Sequence, residues 1–190
     1  MTGAEPSFRS VRYPGGLAVR YGWVGSGQAS SLFALSEAGG TLTDHGPLGG
    51  PDPDALCRAE LHVQGPAGAW TARLASPIFD EPDAVLWDTA GLLVVRYGFV
   101  AYAFAGRSGE LRWHVPLATP LVVIIASSRL DHVLLQGEIE TLAVRADGSV
   151  AWRLVHPDVI TEAALAGGGL ILTAFSGATI ALDPVTGREV

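Results

Sequence analysis

The stretch SGELRWHV, residues 108–115, decides the fold because its pattern returns in DGSVAWRL, residues 147–154. In both segments a Gly is followed four residues later by a Trp. The two pairs, Gly109 with Trp113 and Gly148 with Trp152, lie 39 residues apart. The same interval predicts a further Gly at position 187, and Gly187 is present. A fixed period of this length is typical of a repeat architecture.

The repeated segments have the apolar pattern of β-strands. Leu111, Trp113 and Val115 alternate with polar residues, and this period of two predicts a strand with one buried face. Asp147-Gly148 predicts a type I′ hairpin turn, because both residues tolerate a positive φ. Similar alternation through residues 57–74 predicts another hairpin, and the alternative there is a helix over residues 53–64.

About four short strands fill each period. This predicts an all-β fold, a propeller-like array of about five four-stranded antiparallel blades whose last blade is incomplete. The repeats of this single domain fall roughly at 7–49, 50–83, 84–118, 119–157 and 158–190. The similar segments GLAVRYGWV and GLLVVRYGFV place Tyr21 and Tyr97 76 residues apart, which is about two periods. A β-sandwich is the alternative, but that fold does not require a pattern that repeats every 39 residues.

The end of the chain carries a motif of a known repeat. ALDPVTG, residues 181–187, contains Ala181, Asp183 and Gly187, and it resembles the start of the PQQ-like propeller repeat, Ala-x-Asp-x-x-Thr-Gly-x-x-x-Trp. AFAGRSGELRW, residues 103–113, keeps Ala103 together with the Gly and the Trp of that repeat. The resemblance implies that the motif is structural and that its Trp docks a blade on its neighbour. It implies no cofactor, and none is predicted.

Closure of the array leaves three alternatives. The last repeat lacks its outermost strand, and an open edge exposes unpaired backbone groups. A strand over residues 7–13, SFRSVRY, closes the ring if it pairs with the last blade. If that strand belongs to the first repeat instead, a second copy or another protein caps the open array, so a homo-oligomer is one prediction. The third alternative is that the natural chain is longer.

Composition excludes several classes of partner and site. The formal charge is −7 and all 12 basic residues are Arg, so no nucleic acid partner is predicted. No apolar run approaches the roughly 18 residues of a membrane helix, and no signal peptide opens the chain, so we expect a cytoplasmic protein without a membrane span. The lone Cys57 is expected to be a buried packing thiol, and the dispersed histidines predict no metal site.

The candidate ligand-binding residues lie in one loop region. Asp44 and His45 stand where a docking Trp is expected, and Asp52 and Asp54 follow in the sequence GPLGGPDPD. Their side chains are able to hold a polar ligand or a divalent ion, because calcium prefers oxygen ligands. Asp and Pro are also ordinary turn formers, which favours a solvated loop.

The sequence favours a non-enzymatic binding or scaffold module that recognises a protein or peptide through its loops, since rigid blades with variable loops suit that use. One alternative is a small-ligand, sugar-binding or hydrolytic protein with a pocket on the central axis, where carboxylates such as Asp44 or Asp183 converge. Another alternative is a fragment or subunit of a larger propeller assembly.

Overall fold

The computed structural model describes residues 5–34, 44–46 and 53–190. Within these residues it has the strands β1 (Ser7–Tyr13), β2 (Leu17–Val24), β3 (Asp44–His45), β4 (Cys57–Gly65), β5 (Gly68–Ser76), β6 (Asp83–Trp87), β7 (Leu92–Tyr97), β8 (Val100–Ala105), β9 (Leu111–Pro116), β10 (Leu121–Ile125), β11 (His132–Gly137), β12 (Glu140–Arg145), β13 (Val150–Val155), β14 (Ile160–Ala166), β15 (Gly169–Ala174) and β16 (Thr179–Leu182). A short helix, α1 (Ala29–Ala34), and 3-10 turns at Pro14–Gly16, Pro53–Ala55 and Asp88–Ala90 complete the elements. In this part of the chain no helix has the length and apolar character to cross a membrane.

The strands form four sheets that follow one another along the chain. The first sheet has the order β1-β2-β4-β5-β3, the second β6-β7-β8-β9, the third β10-β11-β12-β13 and the fourth β14-β15-β16. Neighbouring strands are antiparallel, except that β3 runs parallel to β5. Consecutive sheets of sequential antiparallel strands are the architecture of propeller blades, so the predicted fold class is confirmed.

Three apolar cores lie between consecutive sheets. The first sheet packs on the second through side chains such as Leu61 and Phe104. The second packs on the third through side chains that include Val94 and Leu135, and the third on the fourth through a core that contains Leu172. Alternate strand residues therefore face opposite neighbours, as the period of two requires.

The described residues form four sheets, whereas the sequence predicted about five blades. The strands of the first two predicted repeats combine, because β2 pairs with β4 over Ala18–Val24 and 58–64. Residues 25–56 are thus an insertion between two strands of one sheet. This insertion explains why Tyr21 and Tyr97, which lie on the second strands of consecutive sheets, are separated by nearly two periods.

The strand pattern of the middle of the chain agrees with the prediction, but one turn does not. The alternation over residues 57–74 forms the hairpin β4–β5 rather than a helix. The prediction of a type I′ turn at Asp147-Gly148 is wrong, because that turn needs a positive φ at both residues. Gly148 has a φ of +87°, but no non-glycine residue in the described ranges, and so not Asp147, has a positive φ. The turn is instead closed by Gly148 N to Arg145 O and Arg145 N to Ser149 O.

The N-terminal strand belongs to the first sheet. β1 pairs with β2 from Ser7 with Trp23 to Tyr13 with Leu17. It therefore does not supply the outer strand of the fourth sheet, and the first of the three closure alternatives is wrong. Beyond β16, Leu182 forms an antiparallel bridge with Glu189.

Candidate functional site

Three tryptophans repeat one contact between consecutive sheets. They lie on β5, β9 and β13, and each ring covers a turn glycine of the next sheet. A Cβ atom at that glycine would come within 2.5 to 2.8 Å of the Trp side chain, so a larger residue does not fit there. The pairs are Trp70 with Gly109, Trp113 with Gly148 and Trp152 with Gly187.

Each of these indole groups also donates a hydrogen bond to the next sheet. Trp70 Nε1 donates to Gly106 O at 3.1 Å, and Trp113 Nε1 donates to Ala146 O at 3.2 Å. The equivalent bond of Trp152 reaches Pro184 O at 3.3 Å. The repeated glycines and tryptophans therefore join neighbouring sheets in two ways. The Trp ring packs on the Gly, and the indole N–H donates a hydrogen bond to the next sheet.

The pairing of residues between strands identifies the face that each sheet presents to the next sheet. Val94 pairs with Ala103 in the second sheet, and Leu134 pairs with Ala143 in the third. These four side chains are at most 1% exposed because the following sheet covers them. In the fourth sheet the equivalent pair is Ile171 with Ala181. Both residues are only partly buried, so this face lacks the cover that its counterparts have.

We define the outer face of the fourth sheet by the residues on this side of β14, β15 and β16: Glu162, Ala164, Ala166, Gly169, Ile171, Thr173, Thr179 and Ala181. Ala164 and Ala166 are exposed. A groove of about 580 Å³ follows the face and reaches Val122 and Val123 on β10. Small and aliphatic side chains dominate the face, which is the composition of a docking surface.

Three of the four predicted ligand-binding residues, Asp44, His45 and Asp54, lie within the described residues. Asp44 and His45 form β3, with their backbone beside Arg73 and Leu74. The ring of His45 packs on Tyr102 and Phe104, with centroid distances of 6.4 and 5.4 Å. Asp54 is exposed, and its carbonyl accepts a hydrogen bond from Gly27 N. Asp52 lies outside the described residues.

Among the described residues, Glu60 and His62 bring a carboxylate and an imidazole together. Glu60 Oε1 is 2.5 Å from His62 Nε2, and Arg73 Nε donates to Glu60 Oε2 at 2.7 Å. The Arg73 guanidinium also stacks on Phe33 at 3.9 Å. Arg73 neutralises the charge of the nearly buried Glu60 carboxylate. We therefore interpret the cluster as a cross-strand ion pair on the outer face of the first sheet.

The carboxylates proposed for a central-axis pocket have other roles where they are described. Asp183 Oδ1 accepts a hydrogen bond from Val185 N at 2.7 Å, so this side chain stabilises the turn of its motif. Within residues 5–34, 44–46 and 53–190, no group of three or more His, Cys, Asp or Glu side chains is arranged to hold a metal ion. Cys57 is a buried free thiol, as predicted.

No family model matches the sequence, and no curated protein matches it. The PQQ-like repeat therefore stays a resemblance of motif, whereas the propeller-type fold rests on the order of the sheets and the contacts between them.

Several solved structures are similar to the chain at low identity. BamB from Moraxella catarrhalis is 20% identical over 68% of this chain and 42% of that protein, with a TM-score of 0.46. The HIRA fragment 644–1017 is 11% identical over 96% of this chain and 51% of the fragment, with a TM-score of 0.48. BBS1N in complex with ARL6DN is 16% identical over 72% of this chain and 47% of that one, with a TM-score of 0.43. The chain spans about half the length of these structures.

Proposed function

We propose that this chain is a non-enzymatic protein-interaction module in which the blades form a rigid support and the outer face of the fourth sheet binds a partner. The proposal rests on the pair Ile171 and Ala181. Their counterparts Val94–Ala103 and Leu134–Ala143 are buried by a neighbouring sheet, whereas Ile171 and Ala181 remain partly exposed. The equivalent apolar faces of the second and third sheets are each covered by the next sheet. The outer face of the fourth sheet is suited to the same kind of cover by a partner.

The internal interfaces indicate the chemistry of the partner. On the third sheet, the cover is supplied by an antiparallel sheet that presents Ile160, Leu170 and Leu172. A partner of the fourth sheet is therefore expected to offer a β-sheet with apolar side chains. Small residues such as Ala164 and Ala166 allow that sheet to approach closely.

We propose a second copy of the chain as this partner, with the outer faces of the two fourth sheets in contact. The other end of the array is a poor match, because the outer face of the first sheet carries Arg12 and Arg20, and α1 packs on part of it. The outer face of the fourth sheet has one charged residue among its eight, Glu162. A mostly apolar face is self-complementary under two-fold symmetry, the commonest symmetry of homo-oligomers.

Size-exclusion chromatography with light scattering tests the proposal. The unsubstituted chain should have twice its mass of 19.8 kDa at high concentration. Ala164→Arg should return it to the monomer, because a long charged side chain does not fit where two sheets approach closely. The matched control is Ala69→Arg, which adds the same side chain at an exposed strand position on the first sheet and should leave the dimer intact.

Two results contradict the proposal. The first is a monomer at every concentration that the unsubstituted chain tolerates. The second is a dimer that Ala69→Arg disrupts and Ala164→Arg does not, which would assign association to the first sheet.

A further inference from the structure

A second candidate site lies on the outer face of the first sheet, away from the outer face of the fourth sheet. A groove of about 800 Å³ follows this face across β1, β2, β4 and β5. Its lining includes Ser10, Arg12, Ala18, Arg20, His62 and Gln64. Most of these side chains are polar, whereas small and aliphatic side chains dominate the outer face of the fourth sheet. The two faces therefore suit ligands of different chemistry.

The pairing of β1 with β2 places two arginines beside each other in this groove. Arg12 pairs with Ala18, and Arg20 pairs with Ser10, so Arg12 and Arg20 are diagonal neighbours on one face of the sheet. The Cβ atoms of such neighbours lie roughly 7–8 Å apart, which is within reach of long side chains. Ala18 separates Arg12 from Gln64 in the next row of residues, and the groove passes over this short side chain. Both guanidinium groups are thus available to one ligand.

The charges of the two arginines are not neutralised by the described residues. Both side chains are exposed, and neither forms an ion pair in this part of the chain. The Arg20 guanidinium lies 4.9 Å from the centre of the Phe8 ring, a contact that orients the group and leaves its charge in place. Glu60, a carboxylate on the same face, is nearly buried and is bound by Arg73. The face therefore carries two positive charges without counterions, although the chain has a formal charge of −7.

Neutral hydrogen-bonding groups lie beside the arginines. Ser10 and His62 are the cross-strand neighbours of Arg20, and Thr71 pairs with His62 on the next strand. The amide group of Gln64 lies in the neighbouring row. Side chains of these types both donate and accept hydrogen bonds, which is what the N–H and C=O groups of a bound peptide require.

We propose that this groove binds an extended peptide segment in which two acidic residues are separated by one residue. Alternate side chains of an extended segment point to the same side and lie about 7 Å apart, because each residue adds about 3.3–3.4 Å. That spacing matches the diagonal from Arg12 to Arg20, so each carboxylate meets one guanidinium.

Two observations favour a short acidic peptide over other anions. The groove is open and polar, whereas pockets for small molecules are mostly apolar and enclose their ligand. A long polyanion is repelled by the net negative charge of the chain. This assignment is independent of the docking face on the fourth sheet, and either can fail alone.

Two peptides of equal length test the proposal by NMR titration of the full chain at low salt. One is acetyl-Ala-Glu-Thr-Glu-Ala-amide, and the other has Gln in place of both Glu residues. We expect the acidic peptide to bind about tenfold more tightly, because two exposed charge pairs together have about this effect on affinity. Its binding should shift the amide signals of Ala18 and Gln64. The preference should be lost at about 1 M salt, where the screening length falls to about 3 Å.

Two double variants separate the site from the overall charge. Arg12→Gln/Arg20→Gln should bind both peptides with the same affinity. The matched control is Arg129→Gln/Arg188→Gln, which removes the same net charge at two exposed arginines outside the groove and should keep the preference. Both double variants should melt close to the unsubstituted chain, because substitutions of exposed side chains have small effects on stability.

The proposal is overturned if the unsubstituted chain binds neither peptide, if it binds the two equally, or if Arg12→Gln/Arg20→Gln keeps the preference. A loss of the preference in both double variants would also overturn it, because net charge would then explain the effect. Inorganic phosphate is the probe for a less specific site. If it shifts the amide signals of Ala18 and Gln64 at the same concentration as the acidic peptide, the groove binds small anions in general and the assignment to a peptide is wrong.

Discussion

Two glycines in matched turns allow the docking of one sheet on the next to be measured. Gly148 and Gly177 both have a φ of +87°. Each donates its N–H to the residue three positions earlier at 2.9 Å, so the two turns have the same backbone geometry. Their surroundings differ, since a Cβ atom at Gly148 would lie 2.8 Å from Trp113 Cβ, whereas a Cβ atom at Gly177 would have nothing within 4 Å.

The structure sets the expected loss of stability for an alanine at each position. At Gly177 the substitution causes only the backbone strain of a positive φ, about 1–2 kcal/mol. At Gly148 the same strain is joined by overpacking against Trp113, which adds about 1–3 kcal/mol. Gly148→Ala should therefore reduce the free energy of unfolding by about 2–5 kcal/mol.

Equilibrium unfolding in urea at one fixed protein concentration measures both variants, because the midpoint and slope give the free energy of unfolding. Tryptophan fluorescence supplies the signal. Equal losses for Gly148→Ala and Gly177→Ala would refute the docking of Trp113 on Gly148, since backbone strain alone would then account for both.

Two further predictions concern the third sheet and its neighbour. Trp113→Ala should reduce the free energy of unfolding by about 3–5 kcal/mol, because the ring is 7% exposed within the core between two sheets; an unchanged urea midpoint would contradict this. Burial lowers the pKa of His156, whose Nε2 is 2.7 Å from Thr141 Oγ1. The unfolded state then takes up this proton first, so stability should fall as the pH drops below about 6.5. His156→Gln should weaken that dependence in urea titrations between neutral and mildly acidic pH, and an identical pH profile for both proteins would count against it.

The sequence predicted those parts of the fold that repeat. The interval from Gly109 to Gly148 identified the turn positions, and the alternation around Trp113 and Trp152 placed the strands β9 and β13 within a residue. These features are local, and a strand period of two shows directly in the residue types.

Features that depend on contacts between distant segments were not predictable in the same way. The insertion at residues 25–56 carries no mark that separates it from a repeat, so the first sheet appeared as two blades. Tyr97 and Tyr102 are buried between the first and second sheets with no hydrogen-bond partner for either hydroxyl among the described residues. The sequence around them does not show this, because the first sheet decides their burial. The ligand-binding role of Asp44, His45, Asp52 and Asp54 stays a prediction.

The central claim is that the outer face of the fourth sheet binds a protein, and pulsed dipolar spectroscopy on Ala178→Cys carrying a nitroxide spin label tests it most directly. Ala178 is exposed in the turn between β15 and β16, so a label there lies beside the face and not within it. The buried Cys57 is expected to resist labelling, and the unsubstituted chain serves as the blank. We predict a defined distance between labels on two copies, and its signal should weaken when unlabelled chain is added. A label at Ala178 that shows no coupling between copies, whether or not one at Ala69 on the first sheet does, would contradict this claim.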